Sequence, residues 1–276
     1  MILTNENYYS PEANREYMSV SQYKQFKHCE AAGLAIVRGE WVPTSSSTAL
    51  LVGSYVDAAL TEDLEVFKAS HPELYKRDGA LKSDYVRAQE VVDRIQSDRL
   101  MTMLLGGNHQ TILTGTIAGV PFKAKLDSLL SPAQAQAIME EFPETASALS
   151  PFGTIVDLKC MRDLSSAWSD EDQERVSFIR HWGYDIQGAV YQALEGHRLP
   201  FVIAAATKED PPDIRAISVG QYDLDARMDE VLEEAPRYQA IKEGRATPRR
   251  CESCAYCRAT KKLTSIIDHK ELLLSA

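Results

Sequence analysis

Apolar residues recur at helical spacing over Ser19–Val37, where Tyr23, Phe26, Ala31 and Leu34 share a face and Ser19 or Ser21 stands as a cap, so this segment predicts a helix. Ala49–Leu60 (ALLVGSYVDAAL) predicts a second, apolar helix carrying one isolated acid, Asp57. Residues 63–77 and 82–105 predict helices that are more polar outside, which makes the first 105 residues largely α. The period then changes. Gln110–Ile117 (QTILTGTI) and Val120–Leu130 (VPFKAKLDSLL) are β-rich and separated by Ala118-Gly119, a hairpin signal. Thr154–Lys159 (TIVDLK) and Phe201–Thr207 (FVIAAAT) are nearly continuous apolar runs, as expected of strands buried on both faces. An amphipathic helix over 178–195 lies between them, and Ile214–Val219 predicts a further strand before a helix over about 224–243. The Ala/Glu-rich stretch Ser131–Pro151 predicts a surface excursion between two core strands. The class is mixed α/β (α+β), with a central sheet flanked by helices and a helical N-terminal portion.

Composition changes this picture little. At 276 residues, 44% hydrophobic and 25% charged, the chain is long enough to bury its own core, and we expect one domain over 1–276: a helical portion to 105, a core over 106–243 and a Cys-rich segment over 244–265. No apolar run approaches the ~20 residues needed to span a bilayer. The first residues, MILTNENYYSPEANREY, lack the basic and apolar regions of a signal peptide, so a cytoplasmic location and no membrane partner are expected.

Charge matters more. A net charge of −10 argues against a simple nucleic-acid binder, whose footprint is usually basic. Cations nevertheless gather locally: Lys24 and Lys27, then Arg245, Arg249, Arg250, Arg258, Lys261 and Lys262. All of these except Arg245 are candidate contacts to DNA phosphates.

On the strand Thr154–Lys159, positions i and i+2 face the same way, so Asp157 and Lys159 project together while Val156 and Leu158 face a packed side. An acid and a lysine on an apolar strand are costly unless used or paired. Phosphodiester hydrolysis uses both: a carboxylate to hold a divalent cation and an ammonium to stabilise developing charge. Hard cations prefer several oxygen ligands, and Asp127 on the preceding strand offers a second carboxylate. The alternative for Asp157 and Lys159 is an edge-strand ion pair.

Two acids from neighbouring strands with a lysine two residues after the second make the D…(D/E)-x-K pattern. Gln187-Gly-Ala-Val-Tyr191 follows on the next helix, where i, i+4 spacing puts Gln187 and Tyr191 on one face. Together these resemble the RecB-like, QxxxY-bearing branch of the PD-(D/E)XK nuclease superfamily. Gly53-Ser-Tyr-Val-Asp57 resembles that branch's Gly-x-x-x-His motif, with Asp57 where many members carry His; its alternative role is to cap or to neutralise a lysine. SVSQYKQFKHCEAAGLA, FVIAAATKEDPPDI and CESCAYCRATKKL are similar to the RecE-like phage and prophage exonuclease group, over roughly residues 17–265. The resemblance implies a restriction-endonuclease-like core sheet and a site in which Asp127, Asp157, Lys159, Gln187 and Tyr191 are catalytic. Asp57, Asp127 and Asp157 are then ligands for Mg²⁺ or Mn²⁺. It also implies double-stranded DNA with an end as substrate, resected for phage-type recombination, with a single-strand annealing protein as partner and a ring-forming homo-oligomer as assembly. The alternatives are a nuclease with single-strand or endonucleolytic preference and a catalytically silent DNA-binding accessory protein.

Five cysteines occur, at 29, 160, 251, 254 and 257, an odd number that speaks against a disulfide framework. Cys251, Cys254 and Cys257 sit within seven residues beside basic side chains that favour thiolate. They are one short of a four-thiol site, and Cys29 is the candidate fourth ligand, with His28 beside it as a substitute. The one-plus-three split resembles the iron–sulfur nuclease domains of AddB-type proteins, which implies a [4Fe–4S] cluster tying the C-terminal segment to the first helix. Zinc and free thiols stay open as alternatives. Cys160 reads as a small buried hydrophobe, and His109 as a surface residue.

Overall fold

A computed structural model describes residues 1–43, 47–61, 63–169, 172–266 and 268–270. Its elements, in chain order, are α1 (Pro11–Glu16), α2 (Val20–His28), α3 (Glu30–Val37), α4 (Ser47–Leu60), α5 (Leu64–Ser70), α6 (Ser83–Gln96), α7 (Arg99–Leu104), β1 (Asn108–Ile117), β2 (Val120–Leu130), α8 (Pro132–Glu141), β3 (Thr154–Met161), β4 (Ala167–Ser169), β5 (Glu174–Val176), α9 (Phe178–His181), α10 (Tyr184–Glu195), β6 (Phe201–Thr207), β7 (Ile214–Val219), α11 (Gln221–Lys242) and α12 (Ala255–Ala259). Five strands form one mixed sheet in the order β1-β2-β3-β6-β7, and β4 pairs with β5 in a separate hairpin. Only β3 and β6 run parallel, so the chain must cross over between them, and α9 and α10 lie on that crossover.

Helices cover both faces of the sheet, which explains the unbroken apolar runs. Phe201, Ile203 and Ala205 of β6 join a core with Tyr23, Phe26, Ile186, Val190 and Tyr238. Val202, Ala204 and Ala206 face the other way, into a core with Val56, Val91, Ile95 and Ile138. Ser131–Pro151 is therefore more than a surface excursion. Ser131 and Gln134 close a capping box at the start of α8, and Ala135 and Ile138 are buried against the sheet.

Four predicted helices are broken: 63–77 is α-helical only over Leu64–Ser70, with Pro72 just beyond, and the other three divide for local reasons. The segment 19–37 divides at Cys29, whose φ of −163° and ψ of 112° are extended; Ser19 caps the first half, accepting from Gln22 N at 3.3 Å. The segment 82–105 divides where Asp98 caps α7, accepting from Met101 N at 2.9 Å. The segment 178–195 divides at Gly183, which adopts a φ of +62° that a residue with a Cβ rarely takes. The hairpin β4–β5 carries no clear signal in the sequence, whereas α1 opens on Ser10-Pro11-Glu12, a cap and an N1 proline that mark a helix start.

Candidate active site

β2 and β3 pair only over Ser128–Leu130 and Thr154–Val156 and then part. Beyond that point the backbone of β3 would lack a partner, and Asp127 bridges the gap: its Oδ2 accepts the Leu158 N–H at 2.8 Å. The parting opens a cavity of about 340 Å³ lined by Gly53, Asp57, Asp127, Lys159 and Cys160. Two carboxylates from different elements thus face one space.

Asp157 lies just inside, 1% exposed. Its Oδ1 accepts from Gln187 Nε2 at 2.6 Å, and Gln187 Nε2 also lies 2.8 Å from the Tyr191 hydroxyl. That hydroxyl donates on to the Lys125 carbonyl at 3.2 Å, so α10 is tied to both β2 and β3. Asp157 Oδ2 is paired with the Lys159 ammonium but takes no well-directed hydrogen bond. Gly188 makes this arrangement possible, because a Cβ there would stand 2.4 Å from the Phe201 ring and push α10 off the sheet.

Asp57, on α4, is held from a direction the sequence does not disclose. Gln110 sits in β1 with a φ of +52°, opposite Asp127, while the β1–β2 register is the same on either side of it (His109↔Ser128, Thr111↔Leu126). The left-handed backbone there interrupts the ladder without inserting a residue, and the Gln110 amide donates to both Asp57 oxygens at 2.9 and 3.2 Å. His109 Nδ1 lies 3.1 Å from the Asp127 carbonyl oxygen, and the residue is exposed, as expected of a surface position. The residues flanking Asp127 across a hairpin were the only sequence hint of either.

The electrostatics follow from crowding. Burial, then the charge of Asp157 and of Asp57, pushes the Asp127 carboxyl up to about 8 in spite of Lys159. Burial raises Asp57 as well. For Lys159 burial alone would depress the ammonium, but Asp157 and Asp127 outweigh it and hold it above the ordinary lysine value. Its Nζ lies 4.9 Å from the centre of the Tyr184 ring. Negative charge is therefore in excess in the carboxylate cluster, and Asp157 Oδ2, although ion-paired with Lys159, accepts no hydrogen bond. Hard oxygen donors in that condition fit a divalent cation.

Four thiols meet at the other end of the chain. All Sγ atoms of Cys29, Cys251, Cys254 and Cys257 lie within 4.8 Å of one another. The extended Cys29 between α2 and α3 turns its thiol to 3.6 Å from Cys257, and Cys251 lies 3.9 Å from Cys257. Cys254 N and Cys257 N donate to the preceding cysteine sulfurs at 3.3 and 3.4 Å. Nearby, Glu30 takes a two-pronged ion pair from Arg237 and the Arg249 N–H, which also binds the C-terminal segment to α3. Cys160 stays apart, half-buried on β3, with burial raising its thiol.

The predicted DNA-contacting cations divide. Lys24 lies beside the catalytic candidates, its Nζ donating to the Trp182 carbonyl at 2.9 Å, and burial, with Lys159, lowers it to about 8. Lys27 is paired with Glu234 and Glu230 at 3.1 and 3.5 Å. Arg250 pairs with Glu252 and donates to the Cys257 carbonyl at 2.7 Å, supporting the thiol loop. Arg249, Arg258, Lys261 and Lys262 have exposed side chains near the four thiols, away from the carboxylates.

A five-stranded mixed sheet between helices, with acids where two strands part and a lysine two residues beyond the second, is the PD-(D/E)XK nuclease fold. The chain belongs to the family described as a PDDEXK-like domain of unknown function, which matches residues 19–137 and 148–260. Its structure is similar to the crystal structure named "Putative exonuclease" from Eubacterium rectale, with 39% sequence identity and a TM-score of 0.84 over 99% of this chain and 98% of that one. No curated protein matches the chain. Among the described residues no helix is long and apolar enough to cross a membrane.

Proposed function

We propose that this protein is a metal-dependent deoxyribonuclease acting as an exonuclease. The observation that carries the reading is the raised, crowded Asp127 sharing a cavity with Asp57 and Lys159, with the Asp157–Lys159 ion pair beside it, because three carboxylates gather there around one ion-paired ammonium. Asp57, Asp127 and Asp157 would hold Mg²⁺ or Mn²⁺, which when bound polarises a phosphate and lowers the pKa of a water. Lys159 then faces the phosphate and stabilises charge as it develops, while Gln187 fixes the Asp157 carboxylate and is itself fixed by Tyr191. The E. rectale relative's name supports the exonuclease reading. We extend it to resection of double-stranded ends in phage-type recombination, in the cytoplasm, with an annealing protein as partner and a ring-forming homo-oligomer as assembly.

The four cysteines are read as a structural metal site. A tetrahedral ion with ~2.3 Å bonds sets thiolates about 3.8 Å apart, whereas a four-iron cube spreads its ligands further. All four sulfurs lie within 4.8 Å of one another, two pairs of them at 3.6 and 3.9 Å, a spacing nearer to that of a zinc site. A brown protein with iron and sulfide in place of zinc would establish the [4Fe–4S] cluster instead.

The deciding experiment compares end-labelled linear duplex, closed circular duplex and single strands, in Mg²⁺, Mn²⁺, Ca²⁺ or EDTA. Release of nucleotides from linear duplex ends in Mg²⁺ or Mn²⁺, with little in Ca²⁺ and none in EDTA, is expected. Cleavage of closed circles moves the reading to an endonuclease, and robust activity in EDTA removes it.

A further inference from the structure

Lys123, Lys125 and Asp127 alternate along β2 and so lie on one side of the strand. The N-terminal segment folds over them. Lys123 is fully engaged there: it is 1% exposed, donates to the Tyr8 carbonyl and to Asn14 Oδ1, and lies 4.5 Å from the centre of the Tyr8 ring. Lys125 is different. Among the described residues its ammonium has no carboxylate oxygen within ion-pair distance and no hydrogen-bond acceptor; only the rings of Tyr9 and Tyr8 lie near it, at 5.3 and 5.7 Å. The carboxylates of Asp57 and Asp127 act on it only from beyond ion-pair distance.

The space before it is a cavity of about 320 Å³, separate from that of the carboxylates. Tyr9, Lys24, Lys125, Gln187 and Tyr191 are among its lining, so its wall includes the amide that holds Asp157. Lys24 likewise meets no carboxylate among the described residues, its donor going to a carbonyl and its charge resting 5.4 Å from the Tyr184 ring. Tyr9 is 71% exposed, an aromatic face left in solvent at the rim. Two ammonium groups without an ion-pair partner among the described residues and a largely exposed ring, in a protein of net charge −10, make a local site for a phosphate with an attached planar group. Its volume is near the lower limit for small-ligand cavities, roughly 300–1,000 Å³, which admits a nucleotide and excludes a duplex.

We infer that this cavity binds an unpaired nucleotide next to the scissile phosphate, with Lys125 and Lys24 on phosphate oxygens and the Tyr9 ring stacked on the base. The inference rests on the nuclease reading for its substrate but on separate residues for its geometry. Tyr9 and Lys125 are positioning residues that act on binding of the strand.

The test measures anisotropy of a fluorescent single-stranded oligodeoxynucleotide in EDTA, where no turnover is expected, and in parallel the cleavage of linear DNA in Mg²⁺. Tyr9→Ala should weaken oligonucleotide binding roughly tenfold, with Tyr9→Phe restoring it, since stacking needs the ring and not the hydroxyl. Lys125→Gln should flatten the dependence of log Kd on log salt by about 0.7, the loss of one single-strand phosphate contact, with Lys125→Arg restoring it. In cleavage both losses should enter KM more than kcat. Unchanged affinity and salt slope in both variants overturn the subsite even if the wild type cleaves, and the nuclease reading then stands alone. Wild type that binds through Tyr9 and Lys125 without cleaving supports the subsite and overturns the nuclease.

Discussion

The Leu158 N–H donates to Asp127 Oδ2 at 2.8 Å, where β2 and β3 have parted and a ladder bond would otherwise be lost. Asp127 therefore has two duties, one structural and one chemical, and its variants separate them. Asp127→Ala leaves a partly buried N–H without an acceptor, at a cost of about 1–3 kcal/mol. Asp127→Asn keeps an acceptor and removes the charge. We expect the asparagine variant to melt near the wild type and to lose cleavage, as should Asp157→Asn and Lys159→Ala, the last by roughly a hundred- to a thousandfold if Lys159 acts like other preorganised donors. Wild-type turnover in any of them removes that residue from the chemistry.

Asp127 also sets a pH dependence. Its carboxyl stands at about 8 against an ordinary 3.8, so the fold prefers it protonated. The resulting contribution to stability is full below about pH 4 and is lost as pH rises through about 8. A bound cation gives the ionised form a partner and restores what the metal-free protein loses. Melting curves should therefore show a Mn²⁺-induced rise in Tm that is larger at pH 8.5 than at pH 6, and nearly flat in Asp127→Asn. An equal rise at both pH values in the wild type contradicts this.

Gln110 holds Asp57 from a backbone with a φ of +52°. Gln110→Gly relaxes the backbone while deleting the amide, so the fold should be retained or slightly stabilised. Metal dependence should shift, with more Mg²⁺ needed for half-maximal cleavage. Titration of activity against Mg²⁺ reads the shift, and an unchanged midpoint with unchanged rate places Asp57 outside the metal site.

Gln187 links Asp157 to Tyr191 across α10. Gln187→Ala should lower turnover with little loss in Tm, because the helix is held by Ile186, Ala189 and Val190 in the core. A large fall in Tm with normal activity per folded molecule would assign Gln187 to packing.

The thiol site closes a loop of more than two hundred residues between Cys29 and Cys251. Cross-link models give such a closure on the order of 5 kcal/mol. Cys29→Ser and Cys257→Ser should cost stability and metal content first and activity only as a consequence, while Cys160→Ser keeps both. Metal-free wild-type protein that is folded and active would remove the staple and leave the carboxylate site untouched.

The strands were legible because burial on both faces leaves its mark on consecutive residues: Phe201–Thr207 and Ile214–Val219 begin and end as the apolar pattern predicts. The spacings of Asp157 and Lys159, and of Gln187 and Tyr191, were legible too, since strand and helix periods fix which side chains share a face. The cysteine quartet could be nominated from the close spacing of Cys251, Cys254 and Cys257 and the resemblance of the one-plus-three split to AddB-type domains. What the one-dimensional pattern did not hold were relationships between elements that meet only in space. The break at Cys29 looks helical in sequence, yet its extended backbone is what brings this thiol to Cys257. Gln110 lies 53 residues from the Asp57 it holds, and its left-handed backbone in mid-strand is not written in the β pattern. The local neutralisation of Lys27 and the lack of it at Lys125 depend on which carboxylates the fold brings near. Local periodicity reports burial and facing because these act on neighbours along the chain; charge compensation and ligand geometry act through space, and tertiary packing alone decides them.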